Sequence, residues 1–192
     1  FANAQDQKET TGEGFSQGDV FATGSIGFGS TKTGDVKANV IEVSPAFGYF
    51  VSQNIAIGAR LSVVSGKQEQ PLVEDTKVNN FTGEVFGRYY FTPASKFSLF
   101  AELGIDYTSF DEEFDAESGT VYGSSFESKE LGFGLGAGMN YFVSSNFSIE
   151  AGVAVLGYSS NDNGGGSGVD KTNNFSFGGD WRAVTFGVNY KF

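Results

Sequence analysis

The chain has no cysteine and no histidine, and only three prolines, one methionine and one tryptophan in 192 residues. Without Cys or His there are no disulfides, no thiolate or imidazole metal ligands, no Cys nucleophile and no His-based triad or dyad. Cations are also scarce, since 12 Lys+Arg against 23 Asp+Glu leave a net charge of −11. No stripe of Lys and Arg is available to neutralise phosphates, so nucleic acid is excluded as a partner. Glycine and aromatics are abundant instead: 28 Gly, about twice the usual ~7% share, with 21 Phe and 8 Tyr. Glycine weakens helices and aromatics suit strands. Composition therefore points to one β-rich domain with no catalytic residues, metal or cofactor.

The first residues contain Ala2-Asn3-Ala4, the small-x-small form found at the end of an export signal. Gln5 to Gly18 is polar and aperiodic. Residues 1–17 are accordingly read as a signal-peptide remnant and a flexible leader, and 18–192 as the folded domain.

From Val20 onward the chain alternates with period two. Ile55, Ile57, Ala59, Leu61 and Val63 oppose Gly58, Arg60 and Ser62. Leu131, Phe133, Leu135, Ala137, Met139 and Tyr141 alternate with Gly132, Gly134, Gly136, Gly138 and Asn140. Eight such segments can be counted, near residues 20–28, 41–49, 55–63, 81–91, 97–107, 131–141, 147–155 and 184–192. Their apolar faces carry no charge, whereas the opposite faces hold Glu42, Arg60, Glu84, Arg88, Glu102, Asp106, Glu150 and Lys191. Periodicity alone leaves two orientations open. A soluble barrel or sandwich buries the apolar face, and a membrane barrel exposes it.

Three features favour the membrane. The charged face is rich in Gly, Ser, Thr and Ala, which suits a narrow interior better than a solvated exterior. The apolar rows end in aromatics where the chain turns: Phe47 and Tyr49; Tyr89, Phe91 and Phe97; Tyr141 and Phe147; Tyr190 and Phe192. Interfacial aromatic girdles look like this. Finally, Tyr49-Phe50-Val51-Ser52-Gln53-Asn54-Ile55 recurs as Tyr141-Phe142-Val143-Ser144-Ser145-Asn146-Phe147, and in variant form from Tyr90 to Leu99. These are three short turns at one end. The other connections, near residues 30–35, 65–80, 111–125 and 159–174, are mostly long and hydrophilic. Eight antiparallel strands with both termini at the short-turn end follow, and strands of roughly 9 to 13 residues are long enough to cross a bilayer when tilted.

Leu131 to Ile149 has the length of a membrane helix and no charge, but its glycines line one face of a strand and no face of a helix. Gly132-x-Gly134-x-x-Ala137 has the spacing of a dinucleotide fingerprint without the βαβ context that gives it meaning.

With these residues in view, the chain resembles the small eight-stranded outer-membrane β-barrel family of Gram-negative bacteria, of the OmpX-like and OmpA-transmembrane-domain-like type. The resemblance covers about Gly18 to Phe192. Its sharpest part is the end of the chain, where Phe186, Val188, Tyr190 and Phe192 alternate and finish in Phe. The resemblance implies an all-β, up-and-down transmembrane barrel with short periplasmic turns, longer extracellular loops and both termini in the periplasm. It also implies that those four residues are a signal read by the barrel assembly machinery, and that outer-membrane lipids and lipopolysaccharide surround the barrel. The enzymes of this architecture, a lipid A palmitoyltransferase, a phospholipase and the omptin proteases, rely on a catalytic His that this chain lacks.

An eight-stranded lumen is wide enough only for side chains. Glu42, Arg60, Glu84, Arg88, Glu102, Asp106 and Glu150 are therefore expected to form a lumen network, with Arg60 and Arg88 as hubs that each bridge carboxylates. These charged residues are scattered over five strands, which argues for structure rather than general acid/base work. The acidic run Asp111 to Glu117 and the run Gly164 to Gly168 are read as a solvated loop and flexible filler. The leading expectation is a plugged, non-enzymatic barrel that presents surface loops. The alternative is an accessory subunit of a larger outer-membrane secretion, assembly or uptake complex, docked through the small outward residues Ala101, Ala137 and Ala151.

Overall fold

Antiparallel strands pair in chain order until the sheet meets its own edge. The computed structural model describes residues 12–33, 36–70, 73–114, 125–178 and 184–192. They form β1 (Val20–Thr33), β2 (Val36–Phe50), β3 (Ile55–Gln70), β4 (Val73–Tyr90), β5 (Phe97–Phe114), β6 (Ser125–Phe142), β7 (Phe147–Asn161), β8 (Thr172–Phe177) and β9 (Thr185–Lys191). β1 to β7 are consecutive neighbours, and β9 closes the ring by bonding β7 on one side and β1 on the other. The eighth position of the barrel is shared. β9 covers β7 from Phe147 to Gly152, and β8 covers it from Leu156 to Asn161.

Closure decides the orientation question. Val85, Leu103, Leu135 and Ile149 on the outer face are 61%, 54%, 44% and 51% exposed, while Ala46, Ala56 and Phe86 point inward and are buried. Such an apolar belt is stable against hydrocarbon, where a closed sheet is the one arrangement of strands that pairs its backbone without an edge. Aromatics frame the belt at both ends. Phe47, Tyr49, Phe97, Tyr141, Phe147 and Tyr190 lie outward at the turn end; Tyr107, Phe133 and Tyr158 lie outward toward the loop end.

The repeated turn is held by repeated chemistry. Ser52 Oγ accepts from Ile55 N–H at 3.1 Å, and Ser144 Oγ accepts from Phe147 N–H at 3.1 Å. Asn54 and Asn146 each donate a side-chain N–H across to the end of the next strand round the barrel, to the carbonyls of Tyr90 on β4 and Lys191 on β9, both at 2.8 Å. The motif thus ties each turn to a neighbouring hairpin or terminus.

Four sequence expectations are corrected. Residues 65–80, 111–125 and 159–174 are not loops throughout, because the strands run on to Gln70, Phe114 and Asn161, and β8 starts at Thr172. Beyond the hydrocarbon both faces of a strand meet water, so hydrophobic alternation fades while ladder pairing continues, as at Ser65↔Asn79 and Lys67↔Lys77. The first part of the acidic run, Asp111 to Phe114, is strand, with Glu113 opposite Lys77; Asp115 to Glu117 lies outside the described residues. In β7 the alternation breaks at Val155, because a bulge sets Leu156 opposite Leu135 and Ala154 opposite Gly136. Leu156 and Tyr158 thereby keep their partners' outward face. Lastly, the run Gly164 to Gly168 belongs to an ordered turn in which Asp162 Oδ1 accepts from the N–H groups of Lys129 and Gly164 at 2.8 and 3.1 Å.

The flexible-leader expectation also fails where it can be examined. Residues 1–11, with the export-signal remnant, lie outside the described residues. Residues 12–19 fold back into the turn end of the barrel, where Phe15 is fully buried.

Candidate functional site: the lumen

The inward face of each strand was expected to be small and polar, yet six aromatics share it. Phe21, Phe50, Phe86, Tyr90, Phe100 and Phe142 are all at most 5% exposed and alternate in register with the inward charges. Sequence reading followed the apolar rows and so passed over the five phenylalanines. The signal was available, because each has the strand parity of the charged face. Inward glycines make the space. A Cβ on Gly48 would strike the ring of Phe21, one on Gly58 would meet Phe86, and one on Gly138 would meet Phe100. In the glycine row of β6, Gly138 and Gly132 are thus sockets for Phe100 and Asp106 of the adjacent strand.

At the turn end, Phe15 enters from the leader and completes the cluster. Its ring lies 4.7 Å from Phe50, 4.9 Å from Phe142, 5.4 Å from Tyr90 and 5.5 Å from Phe21. Backbone and charge hold it there. Phe15 N–H donates to the Pro93 carbonyl at 2.7 Å, and Lys191 Nζ donates to the carbonyls of Gly12 and Gly14 at 2.9 and 2.6 Å. Lys96 pairs with Glu13 at 3.1 Å. Gly14 (φ +99°) must be glycine in this position, since a side chain there would run into the backbone of Pro93 and Ala94.

Above the rings lies a charge layer. Arg60 bridges Glu84 and Glu102, and Arg88 bridges Glu102 and Glu150. The Arg88–Glu150 contact is bidentate, at 2.8 and 2.9 Å, and Arg88 also donates to Tyr90 Oη at 3.2 Å. The guanidinium of Arg88 lies 4.3 Å from the Phe100 ring centre and 4.9 Å from that of Phe86, and Arg60 lies 5.0 Å from Phe86. Planar, weakly hydrated guanidiniums fit such a site, where aromatic faces and two carboxylates replace water.

Of the seven lumen residues expected from sequence, the structure brings five into this one network. Glu42 and Asp106 stand outside it. Glu42 accepts from Ser44 Oγ at 2.6 Å, and no ion pair among the described residues reaches either carboxylate. Both line a cavity of about 330 Å³ that begins at the charge layer and extends toward the loop end. No three acidic side chains among the described residues converge closely enough to hold a metal ion. The terminal residues Phe186, Val188, Tyr190 and Phe192 all face outward, 37–67% exposed, with Tyr190 packed at 4.9 Å on Phe147 and 5.0 Å on Phe192.

Comparison with solved structures returns the same architecture. OprG from Pseudomonas aeruginosa superposes with a TM-score of 0.51 at 18% identity, covering 93% of this chain and 98% of its own. Ail, the attachment invasion locus protein of Yersinia pestis, gives 0.52 at 15% identity, with 92% and 99% covered. Outer membrane protein W of E. coli gives 0.51 at 16%, with 92% and 99% covered. At these identities the likeness concerns fold alone. No curated protein sequence matches the chain. The family model described as the outer membrane protein beta-barrel domain matches residues 1–192, so the chain belongs to that family of outer-membrane transmembrane barrels.

Proposed function

We propose that this is a non-enzymatic barrel, sealed across its lumen, that anchors surface-presenting strands and loops in the outer membrane with both termini on the periplasmic side. The observation that carries the reading is Phe15, fully buried in a ring of inward aromatics directly beneath the Arg60–Arg88 layer. Two barriers in series, one apolar and one charged, support a lumen closed to water, and the strands that outrun the hydrocarbon support a presenting surface at the other end. The chain's lack of His and Cys removes the usual nucleophile and base. On this reading the barrel assembly machinery recognises the outward row Phe186, Val188, Tyr190 and Phe192, and lipid and lipopolysaccharide surround the belt. The test is electrical: the protein in planar bilayers is expected to show no steady unit conductance, and a reproducible step of fixed size would sink the sealed-lumen reading.

A second reading has its own support. Ala101 lies directly opposite Ala137 in the β5–β6 ladder, and Ala151 opposite Met139 across β6–β7, so a shallow patch of small side chains marks one sector of the outer wall. A larger outer-membrane complex could dock there. Native extraction in mild detergent decides between the two, since a stoichiometric co-purifying chain that Ala137→Phe releases would establish the subunit role.

A further inference from the structure

The segment ahead of β1 crosses the turn-end mouth of the barrel as a strap with few holds. Gly12 lies beside Ser145 in the β6–β7 turn, Gly14 lies against Pro93 and Ala94 in the β4–β5 turn, and Gly18 N–H donates to the Phe50 carbonyl at the end of β2 at 2.9 Å. Gly18 (φ +91°) has open space where a Cβ would stand, so the chain can swing there without a clash. Behind the strap lies a sector of polar side chains that lack partners. Thr23, Asn140, Ser148 and Asn189 are at most 5% exposed. Thr23 Oγ1, Ser148 Oγ and both side-chain polar atoms of each asparagine have no hydrogen-bond partner among the described residues. The four are contiguous. Asn189 on β9 lies opposite both Thr23 on β1 and Ser148 on β7, and Ser148 lies opposite Phe142, two residues along β6 from Asn140. Thr23, Asn140 and Asn189 each stand two residues further into the lumen than a side chain that holds the strap, namely Phe21, Phe142 and Lys191.

We propose that residues 12–19 are a detachable plug, hinged at Gly18, and that the mouth they leave is a socket for a short peptide carrying an acid, a glycine and an aromatic residue in that order. The proposal rests on the sealed-lumen reading and adds a second state to it. Buried polar groups without partners cost free energy that water returns once it reaches them, so withdrawal of the strap relieves Thr23, Asn140, Ser148 and Asn189. Against that gain stand the burial of one ring and a handful of contacts at the rim, which is the balance expected of a segment that opens locally while the barrel stays folded. The socket reads three features of its occupant. Lys96 meets the acid at Glu13, Lys191 donates to the carbonyls of Gly12 and Gly14, and the inward rings enclose Phe15. The Arg60–Arg88 layer is built from strands alone and stays in place when the strap leaves, so water reaches the polar sector and stops there.

The chain has no cysteine, so Ser148→Cys places a single thiol behind the strap. Its modification by a small charged methanethiosulfonate is timed in the purified full chain in detergent micelles, with folding checked by heat-modifiable gel migration. Under the native strap the thiol is expected to react slowly. Phe15→Ala should speed the reaction about ten-fold or more, because burial of a phenylalanine ring is worth at least that factor in an equilibrium between seated and withdrawn forms. Gly14→Ala, which lies outside the barrel wall and is expected to fold if the first variant does not, should act likewise, since its methyl runs into the Pro93 and Ala94 backbone. A free peptide of residues 12–19 should restore protection in Phe15→Ala at a concentration on the order of the millimolar that a short tether supplies. The same peptide carrying Phe15→Ala should not. A Ser25→Cys thiol, which lines the cavity above the charge layer, should react at one rate throughout. The proposal is overturned if Ser148→Cys reacts no faster in either strap variant, if the peptide gives no protection, or if Ser25→Cys accelerates in parallel. Steady conductance under the native strap would refute the sealed lumen, whereas the strap is judged by the change in rate alone, so the two failures are distinguishable.

Discussion

Arg88 shows how a single residue can be decisive inside a lipid-exposed shell. Its side chain is 2% exposed, and its guanidinium lies against Phe100 and Phe86 and is shared between Glu102 and Glu150. Two carboxylates beside one cation would be costly in low dielectric without good geometry, but here the remaining donors and faces are also occupied. Removing the cation leaves Glu150 buried and unpaired, a loss that typically costs about 3–5 kcal/mol. Arg88→Met is therefore expected to lower the unfolding free energy of the micelle-bound protein by that amount, read from the urea dependence of the fraction migrating in the folded form. Adding Glu150→Gln should recover part of the loss. Equal stability of Arg88→Met and wild type would show that the network is dispensable. Phe15 makes the complementary point that a polar leader can carry one anchoring ring, whose role depends on partners supplied by four different strands.

Between strands, the unit of packing is the inward glycine and the side chain that fills it. Phe100 occupies the space above Gly138, so a methyl group there forces one of them to move. Overpacking of this kind usually costs about 1–3 kcal/mol. Gly138→Ala should destabilise by at least that amount, because the added methyl also meets the Ala151 carbonyl at 2.7 Å, and Phe100→Leu added to it should restore only the part owed to the ring; a chemical denaturation cycle over the four proteins reads the coupling. The ordered turn after β7 gives a pH-dependent counterpart outside the membrane. The backbone N–H groups of Lys129 and then Gly164 hold the Asp162 carboxyl below the usual carboxylate range. Since its folded pKa lies below the unfolded one, the anchoring is complete above the unfolded value and lost as pH falls through the folded value. The amide proton shifts of Lys129 and Gly164 are expected to titrate together in that acid window, and flat shifts would refute the anchor.

These elements also show what a sequence displays and what it hides. The outward rows were legible because one face meets hydrocarbon and tolerates no charge, and the three turns because their Ser and Asn recur at fixed offsets. The strand extensions past Ser65 and Asp111 were hidden because water on both faces erases the alternation. Arg60, Arg88, Glu84, Glu102 and Glu150 could be named as lumen residues from parity. Which acid each Arg would hold depends on register between strands distant in sequence, such as Arg88 with Glu150, and no local pattern encodes that. The aromatic floor was hidden for a different reason, since a hydrophobic residue on a polar face reads locally as noise until the facing glycine is known.

At the scale of the whole molecule, the solvent outside the barrel is the variable that sets every sign. Leu103 lies six residues into β5, midway along the belt, with its side chain outward and 54% exposed. Ser109, on the same face and strand, lies toward the loop end, opposite Lys129. If hydrocarbon surrounds the belt, a cation at the first position must be carried into the bilayer centre, at about 2–4 kcal/mol, and one at the second reaches the headgroup region, at about 0–1 kcal/mol. Were the same surface in water, the two would cost alike, because neither side chain packs in the lumen. Leu103→Arg and Ser109→Arg, refolded from urea into vesicles and compared by heat-modifiable migration, should therefore separate by roughly that difference in unfolding free energy. The separation should vanish in neither thin nor thick bilayers, but it should shrink as the acyl chains shorten, because a thinner core brings Leu103 nearer to water. A pair of equal values in every bilayer would mean that the outward row is not the lipid-facing one.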